Sequence, residues 1–150
     1  MRDHRELSAY QHSHELLLAV HEAVQQLPGH DPSALGARMV AAAHSAAAAI
    51  ARACAVPSEQ FGTQIDEASR RLREVGYYID IAQRLGHLSL AGAVELLERQ
   101  TLAGVEVNAL LQNGNGGGMQ VGLPSWADGG DPEPVDSGLR GAATVSAPGR

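Results

Sequence analysis

The segment from Ala34 to Ala55 constrains the fold of this chain more than any other part of the sequence. Twelve of its 22 residues are alanine, and no proline follows before Pro57. Because alanine has the highest intrinsic helix propensity, this segment is predicted to be helical in almost any context. Its small side chains let neighbouring helices approach closely, so we expect a central helix packed against bulkier partners.

Three further segments have the three-and-four spacing of apolar residues that is typical of amphipathic helices. Residues that break helices separate them: Pro28 and Gly29 end the first helix, Pro57 the second and Gly86 the third. Short connections between long helices favour antiparallel neighbours. The sequence therefore predicts an all-α fold, an antiparallel up-down four-helix bundle over residues 1–112, with helices at about 5–27, 32–55, 58–85 and 90–112.

Polar residues stand where three of these helices are predicted to begin. Asp31 is the predicted N-cap of the second helix, with Pro32 at its first position, where the missing N–H costs nothing. Ser58 and Ser89 are the predicted N-caps of the third and fourth helices.

The third helix has the clearest pattern of the four. Its apolar residues alternate spacings of four and three without a break: Phe61, Ile65, Ala68, Leu72, Val75, Ile79 and Ala82. Its other face carries acid-then-base pairs four residues apart, which stabilise a helix modestly: Asp66–Arg70, Glu67–Arg71 and Asp80–Arg84. We therefore expect one buried face and one solvated, ion-paired face.

The first and fourth helices have more apolar surface than one bundle face requires. In the fourth helix we predict a core stripe of Leu90, Val94, Leu97, Thr101, Val105 and Leu111, with a second stripe of Leu96, Leu102, Val107 and Leu110 beside it. Such a surplus indicates a further interface, which we interpret as homo-oligomerisation. The candidate interface residues are Tyr10, His14, Leu18, His21, Leu102 and Leu110.

The composition changes abruptly after the fourth helix. Residues 113–150 are rich in Gly, Pro, Asp and Ser and are predicted to form a disordered C-terminal tail. Its only apolar stretch, Val121–Trp126, is either a short docking motif for a protein partner or incidental.

Charge and cysteine content limit the possible partners and compartment. The chain has 17 acidic residues and 11 arginines but no lysine, for a formal net charge of −6. Because nucleic-acid affinity comes largely from basic side chains, this balance disfavours nucleic acid, and it also disfavours an anionic membrane. The single cysteine and the polar N-terminus fit a cytoplasmic protein, and no segment is apolar enough for a membrane span.

The sequence contains no arrangement typical of catalysis or cofactor binding. The Gly-rich stretch Asn113–Met119 lacks the Lys-Ser/Thr of a phosphate-binding loop, and no Gly-x-Ser-x-Gly occurs. We therefore predict a non-enzymatic protein without a cofactor. One basic cluster, Arg70, Arg71 and Arg73, is the candidate nucleic-acid contact, although acidic residues lie within one turn of it.

Two histidines leave a metal hypothesis open. His14 and His21 lie two turns apart on one side of the first helix, near Glu15 and Glu22. A di-iron site in a bundle core requires Glu-x-x-His motifs, and this chain has none. Because this motif is missing, a His-based metal-binding bundle ranks last of the three hypotheses for function; the other two are given below.

An ordered set of residues resembles the four-helix-bundle proteins encoded in 23S ribosomal RNA intervening sequences. In the first helix the matching residues are Leu7, Tyr10, Gln11, His14, Glu15, Leu16, Leu27 and Pro28. Phe61 and Glu74 match in the third helix, and the turn from Ala82 through Gly86 to Leu88 and Ser89 matches the family's alanine, leucine-glycine turn. The resemblance covers Arg5 to about Leu111.

The resemblance implies a bundle that assembles as a ring-like homo-oligomer, typically a pentamer. A related branch comprises basic, nucleic-acid-binding accessory proteins of diversity-generating retroelements, which act beside a reverse transcriptase. This chain departs from the family pattern in helix 2, where Val40 and Ala41 replace paired arginines, and in helix 3, where Gly76 replaces a glutamate. The leading hypothesis is a homo-oligomeric scaffold or interaction module, and the retroelement-type accessory protein is the alternative.

Overall fold

A computed structural model of the chain describes residues 3–29 and 34–115. After a 3₁₀ turn at His4–Glu6, four helices follow: α1 (Ser8–Val24), α2 (Leu35–Ala55), α3 (Ser58–Arg84) and α4 (Leu90–Asn115). The predicted all-α, four-helix fold is confirmed. The helix bounds differ from the predicted ones mainly at α1, which is shorter at both ends, and at α2, which begins at Leu35 and not at residue 32.

The four helices form a closed bundle in which each helix packs against two others. Consecutive helices are in contact, and α1 contacts α4, whereas the backbones of the diagonal pairs stay more than 8 Å apart between Cα atoms within the described residues. The side chain of Ser8, at the start of α1, donates a hydrogen bond to Glu106 near the end of α4. Phe61, early in α3, lies against Gly114 at the end of α4. These contacts show that α4 runs antiparallel to both of its neighbours.

The core consists of apolar side chains from all four helices. One apolar stripe of α2, with the three-and-four spacing of a helix face, is buried throughout: Leu35, Met39, Ala42, Ala46, Ile50 and Ala53. The predicted α3 stripe is buried from Ile65 to Ala82, and Phe61 is half-buried against it. The ion pairs predicted on the other face of α3 are present, with N···O distances of 2.6, 2.7 and 2.9 Å for Asp66–Arg70, Glu67–Arg71 and Asp80–Arg84.

Two of the predicted helix caps can be compared with the structure. Ser89 caps α4, because its hydroxyl oxygen accepts a hydrogen bond from the N–H of Gly92 at 3.0 Å. The Ser58 prediction is wrong: Pro57 is the N-cap, and Ser58 is already helical. The residue before α2 is Ala34 in the left-handed conformation (φ 53°), while Asp31 and Pro32 lie outside the described residues.

A glycine in α3 permits a close side-chain contact with α4. The Gln100 amide lies 3.3 Å from where a Cβ of Gly76 would stand, and its N–H donates to the Leu72 carbonyl oxygen at 3.1 Å. This hydrogen bond fixes how far α4 is shifted along α3.

None of the helices within 3–29 and 34–115 is long and apolar enough to cross a membrane. The predicted disordered tail, residues 113–150, falls largely outside the described residues, as does its Val121–Trp126 stretch.

Candidate functional site

The outward side of α4 is an apolar surface that none of the residues described in the structure covers. Its large exposed side chains are Leu90, Val94, Leu102 and Val105, with exposed fractions of 69, 45, 45 and 58%. Between residues 94 and 105 it forms a shallow groove of about 410 Å³, completed by Leu97, Glu98 and Thr101. We call Leu90, Val94, Leu97, Thr101, Leu102 and Val105 the α4 outer face; Glu98 is the one charged residue lining its groove.

The exposure of this face corrects the prediction for helix 4. Four of the six residues of the predicted core stripe lie outward: Leu90, Val94, Thr101 and Val105. The other two, Leu97 and Leu111, are half-buried against the core, and the fully buried residues are Ala93, Leu96, Ala103 and Val107. Small Ala93 and Ala103 let α4 approach its neighbours closely, so the larger Leu and Val side chains point to solvent. A helix that is apolar all round usually lies buried, and α4 is covered on one side only.

The candidate interface residues on α1 form a second exposed strip. Tyr10 is half-buried, and its ring stacks on that of His14, with centroids 5.8 Å apart and an interplanar angle of 14°. His14 and His21 are exposed, and Leu18 between them is 56% exposed. We call Tyr10, His14 and Leu18 the α1 strip; His21 follows one turn further along and contacts α2 instead.

The two candidate interface residues on α4 differ from each other. Leu102 belongs to the α4 outer face, as expected for an interface residue. Leu110 is half-buried and packs against the core of its own bundle, so its side chain serves the fold of the single chain.

Two histidines from different helices are in contact, but they are not His14 and His21, the pair suggested by the sequence. His21 of α1 lies against His44 of α2, with Nε2 atoms 3.0 Å apart and rings nearly perpendicular at 87°. One ring donates its N–H and the other accepts through its lone pair, so the acceptor nitrogen is unprotonated. His14, the predicted partner of His21, stacks on Tyr10 instead. This pairing depends on the relative shift of α1 and α2, which no spacing within α1 reveals.

Acidic neighbours neutralise most of the candidate basic cluster. Arg70 pairs with Asp66, and Arg71 donates to Glu67 and Glu74 at 2.7 and 3.1 Å. Hydrogen bonds to Glu67 and then Glu74 raise the pKa of Arg71 above its ordinary value, which keeps it charged and paired. Arg73 is exposed and has no ion pair within the described part of the chain.

Within the described ranges, no group of three or more His, Cys, Asp or Glu side chains is arranged to hold a metal ion. The features best placed for function are therefore the α4 outer face, the α1 strip and the His21–His44 pair.

Comparison with known proteins agrees with the resemblance seen in the ordered residues. No curated protein matches the chain. A family model does match: it is described as 23S rRNA-intervening sequence protein and covers residues 5–108.

Proposed function

Because the chain belongs to the 23S rRNA-intervening sequence protein family, we propose that it is a non-enzymatic scaffold or interaction module that assembles with further copies of itself. The observation that carries this proposal is the α4 outer face. Its Leu and Val side chains keep about half of their surface in water, and burying each fully would contribute roughly 1 kcal/mol.

A second copy suits this face because of the distribution of charge. Two copies of a chain with a net charge of −6 repel each other through most of their surfaces. The α4 outer face offers an approach with little like-charge repulsion, since Glu98 is the only charged residue among those that line its groove. An apolar face of this kind is typical of the centre of a protein–protein interface.

A ring requires two different contact faces on each chain, because only a heterologous interface repeats around a closed cycle. The α1 strip supplies a second face, with Leu18 exposed and Tyr10 partly exposed. The α4 outer face of one copy would then pack on the α1 strip of the next. The pentamer implied by the resemblance would use this arrangement five times, and its mass would be about 78 kDa for a 15.7 kDa chain.

The test is the mass of the full chain in solution, measured by light scattering after size-exclusion chromatography at micromolar concentration. We expect a mass several times that of the chain. Val105→Glu on the α4 outer face and Leu18→Glu on the α1 strip should each shift it towards the monomer, because each would bury a carboxylate without a partner.

The matched control is Ala48→Glu, which adds the same charge to an exposed position of α2. It should leave the mass unchanged. A monomeric wild-type protein would contradict the proposal. A mass that falls with Val105→Glu but not with Leu18→Glu would instead indicate a symmetric contact between two α4 outer faces.

The alternative, a retroelement-type accessory protein, predicts salt-sensitive binding of RNA or DNA through the arginines of α3. The pairing of Arg70 and Arg71 with carboxylates argues against it, because only Arg73 remains unpaired among the three within the described residues. We expect no retardation of RNA or DNA in a gel-shift assay at low salt. Retardation that disappears on adding salt and on Arg73→Ala would favour the alternative.

A further inference from the structure

His21 and His44 converge at the surface between α1 and α2, which makes them candidates for a shared ligand. We infer that this pair binds one divalent ion of a late transition metal per chain, of the class of Cu²⁺, Ni²⁺ or Zn²⁺, with both Nε2 atoms as ligands. The site joins two helices and lies apart from the α4 outer face.

The spacing of the two nitrogens fits two metal bonds to a common ion. An imidazole nitrogen binds zinc at about 2.0–2.1 Å. Two such bonds hold their nitrogens about 3.3 Å apart at a tetrahedral angle and about 2.9 Å apart at a right angle, as in square-planar sites. The observed Nε2–Nε2 distance of 3.0 Å lies within this range. The two nitrogens therefore already have the spacing of two ligands, and both rings would turn to direct their lone pairs at the ion.

Metal binding needs a lone pair on both Nε2 atoms, whereas the hydrogen-bonded pair has a lone pair on one. The donor ring reaches the required form by moving its proton to Nδ1, which gives the other tautomer of neutral imidazole. Both residues are exposed, so water can exchange this proton. The ion thus replaces one hydrogen bond with two coordinate bonds.

Four residues one turn away from the pair, two on each helix, are exposed and carry no positive charge. On α2, Ala41 and Ala48 lie one turn before and after His44; both are exposed and present only a methyl group. On α1, Leu18 and Gln25 occupy the corresponding positions around His21. None of these four residues is basic, and the negative charge of the chain favours a cation.

The ligand set selects the class of ion. Imidazole nitrogens suit copper, nickel and zinc, whereas magnesium and calcium require oxygen ligands. No third His, Cys, Asp or Glu side chain joins the pair within the described residues, so water completes the coordination. Affinity should therefore be moderate and should be highest for Cu²⁺.

Isothermal titration of the full chain, prepared without a polyhistidine tag, tests the site with Cu²⁺, Ni²⁺ and Zn²⁺, and with Mg²⁺ as the negative ion. We expect one transition-metal ion per chain and no Mg²⁺. His21→Ala and His44→Ala should each lower the affinity at least about tenfold, because one imidazole then binds alone. His87→Ala is the matched control, a half-buried histidine in the turn between α3 and α4, outside the pair and both proposed contact faces, and it should bind normally.

Thermal unfolding gives an independent measurement, since an ion that joins α1 to α2 stabilises the folded chain. Ni²⁺ should raise the Tm of the wild type and of His87→Ala but not of His21→Ala or His44→Ala. Binding that survives His44→Ala, or that His87→Ala abolishes equally, would overturn the assignment. The Val105→Glu variant should still bind one ion per chain, whether or not it assembles. Metal binding and self-assembly can therefore be tested separately.

Discussion

The second and fourth helices are both rich in apolar residues, yet they place them differently. α2 buries its larger side chains, including Met39 and Ile50, and much of its exposed surface is alanine, such as Ala41 and Ala48. α4 does the reverse: two of its buried positions are Ala93 and Ala103, and its exposed apolar side chains are Leu90, Val94, Leu102 and Val105.

This difference shows that apolar content alone does not identify an interface. An exposed alanine leaves one methyl group in water, whereas an exposed leucine leaves several carbons there, each contributing roughly 0.8 kcal/mol when buried. The apolar residues of α2 are accounted for by the fold of one chain. The apolar residues of the α4 outer face contribute hydrophobic stabilisation in full only when a second surface covers them.

The largest expected effect contrasts one aliphatic residue from each helix. Ile50→Ala should lower the free energy of unfolding by about 2–5 kcal/mol, because it opens a cavity at a fully buried position. Leu102→Ala should change the stability of the monomer by less than about 0.5 kcal/mol, since the side chain already lies partly in water. Urea unfolding at low protein concentration measures both without a contribution from assembly.

A loss for Leu102→Ala as large as that for Ile50→Ala would contradict the comparison. It would mean that Leu102 is buried in the folded single chain. At higher concentration, Leu102→Ala should become destabilising relative to wild type if the α4 outer face forms the contact between copies.

A smaller difference in stability is expected between substitutions at a buried and at an exposed alanine of α2. Ala46→Leu should destabilise the chain by about 1–3 kcal/mol, because Ala46 is fully buried and a larger side chain overpacks the core. Ala48→Leu, two residues away and exposed, should be close to neutral. Thermal unfolding of the two variants under identical conditions gives the difference in Tm. Equal values would show that α2 is packed less tightly than the structure indicates.

The smallest effects concern one glycine from each helix. Gly104→Ala in α4 should stabilise the chain by about 0.5–1 kcal/mol, because nothing lies within 4 Å of the added Cβ and alanine favours the helix. Gly36→Ala in α2 should lose that gain, since the Cβ would lie 2.8 Å from Val24 Cγ1. Chemical denaturation can resolve the sign of each change, and a stabilised Gly36→Ala would show that α1 and α2 can move apart at little cost.

The sequence predicted α2 and α3 well for a simple physical reason. α3 has one unbroken stripe of apolar residues, so helix periodicity leaves only one way to orient it. In α2 the apolar residues beside the main stripe are mostly alanine, and two of them, Ala43 and Ala47, are buried together with it. α4 has two adjacent stripes, and either could face inward. The choice depends on how closely its neighbours approach, which is set by Ala93 and Ala103 together with the surfaces of α1 and α3.

The candidate sites were predictable only where they depend on one helix. Leu18 and Leu102 were identified because surplus apolar residues are visible along a single segment, and both are exposed. The pairing of His21 with His44 requires the alignment of two helices, and the sequence instead suggested His14 as the partner of His21. The packing of Leu110 against its own core could not be predicted for a related reason, since its burial depends on the neighbouring helices.

The contact between Gly76 and Gln100 has an evolutionary consequence. The Gln100 amide reaches the Leu72 carbonyl only because position 76 lacks a side chain. A large residue at position 76 would occupy the space of that amide, and a glutamine at position 100 would then lose its hydrogen bond. Substitutions at these two positions should therefore be inherited as a pair, so that a change at one selects for a change at the other.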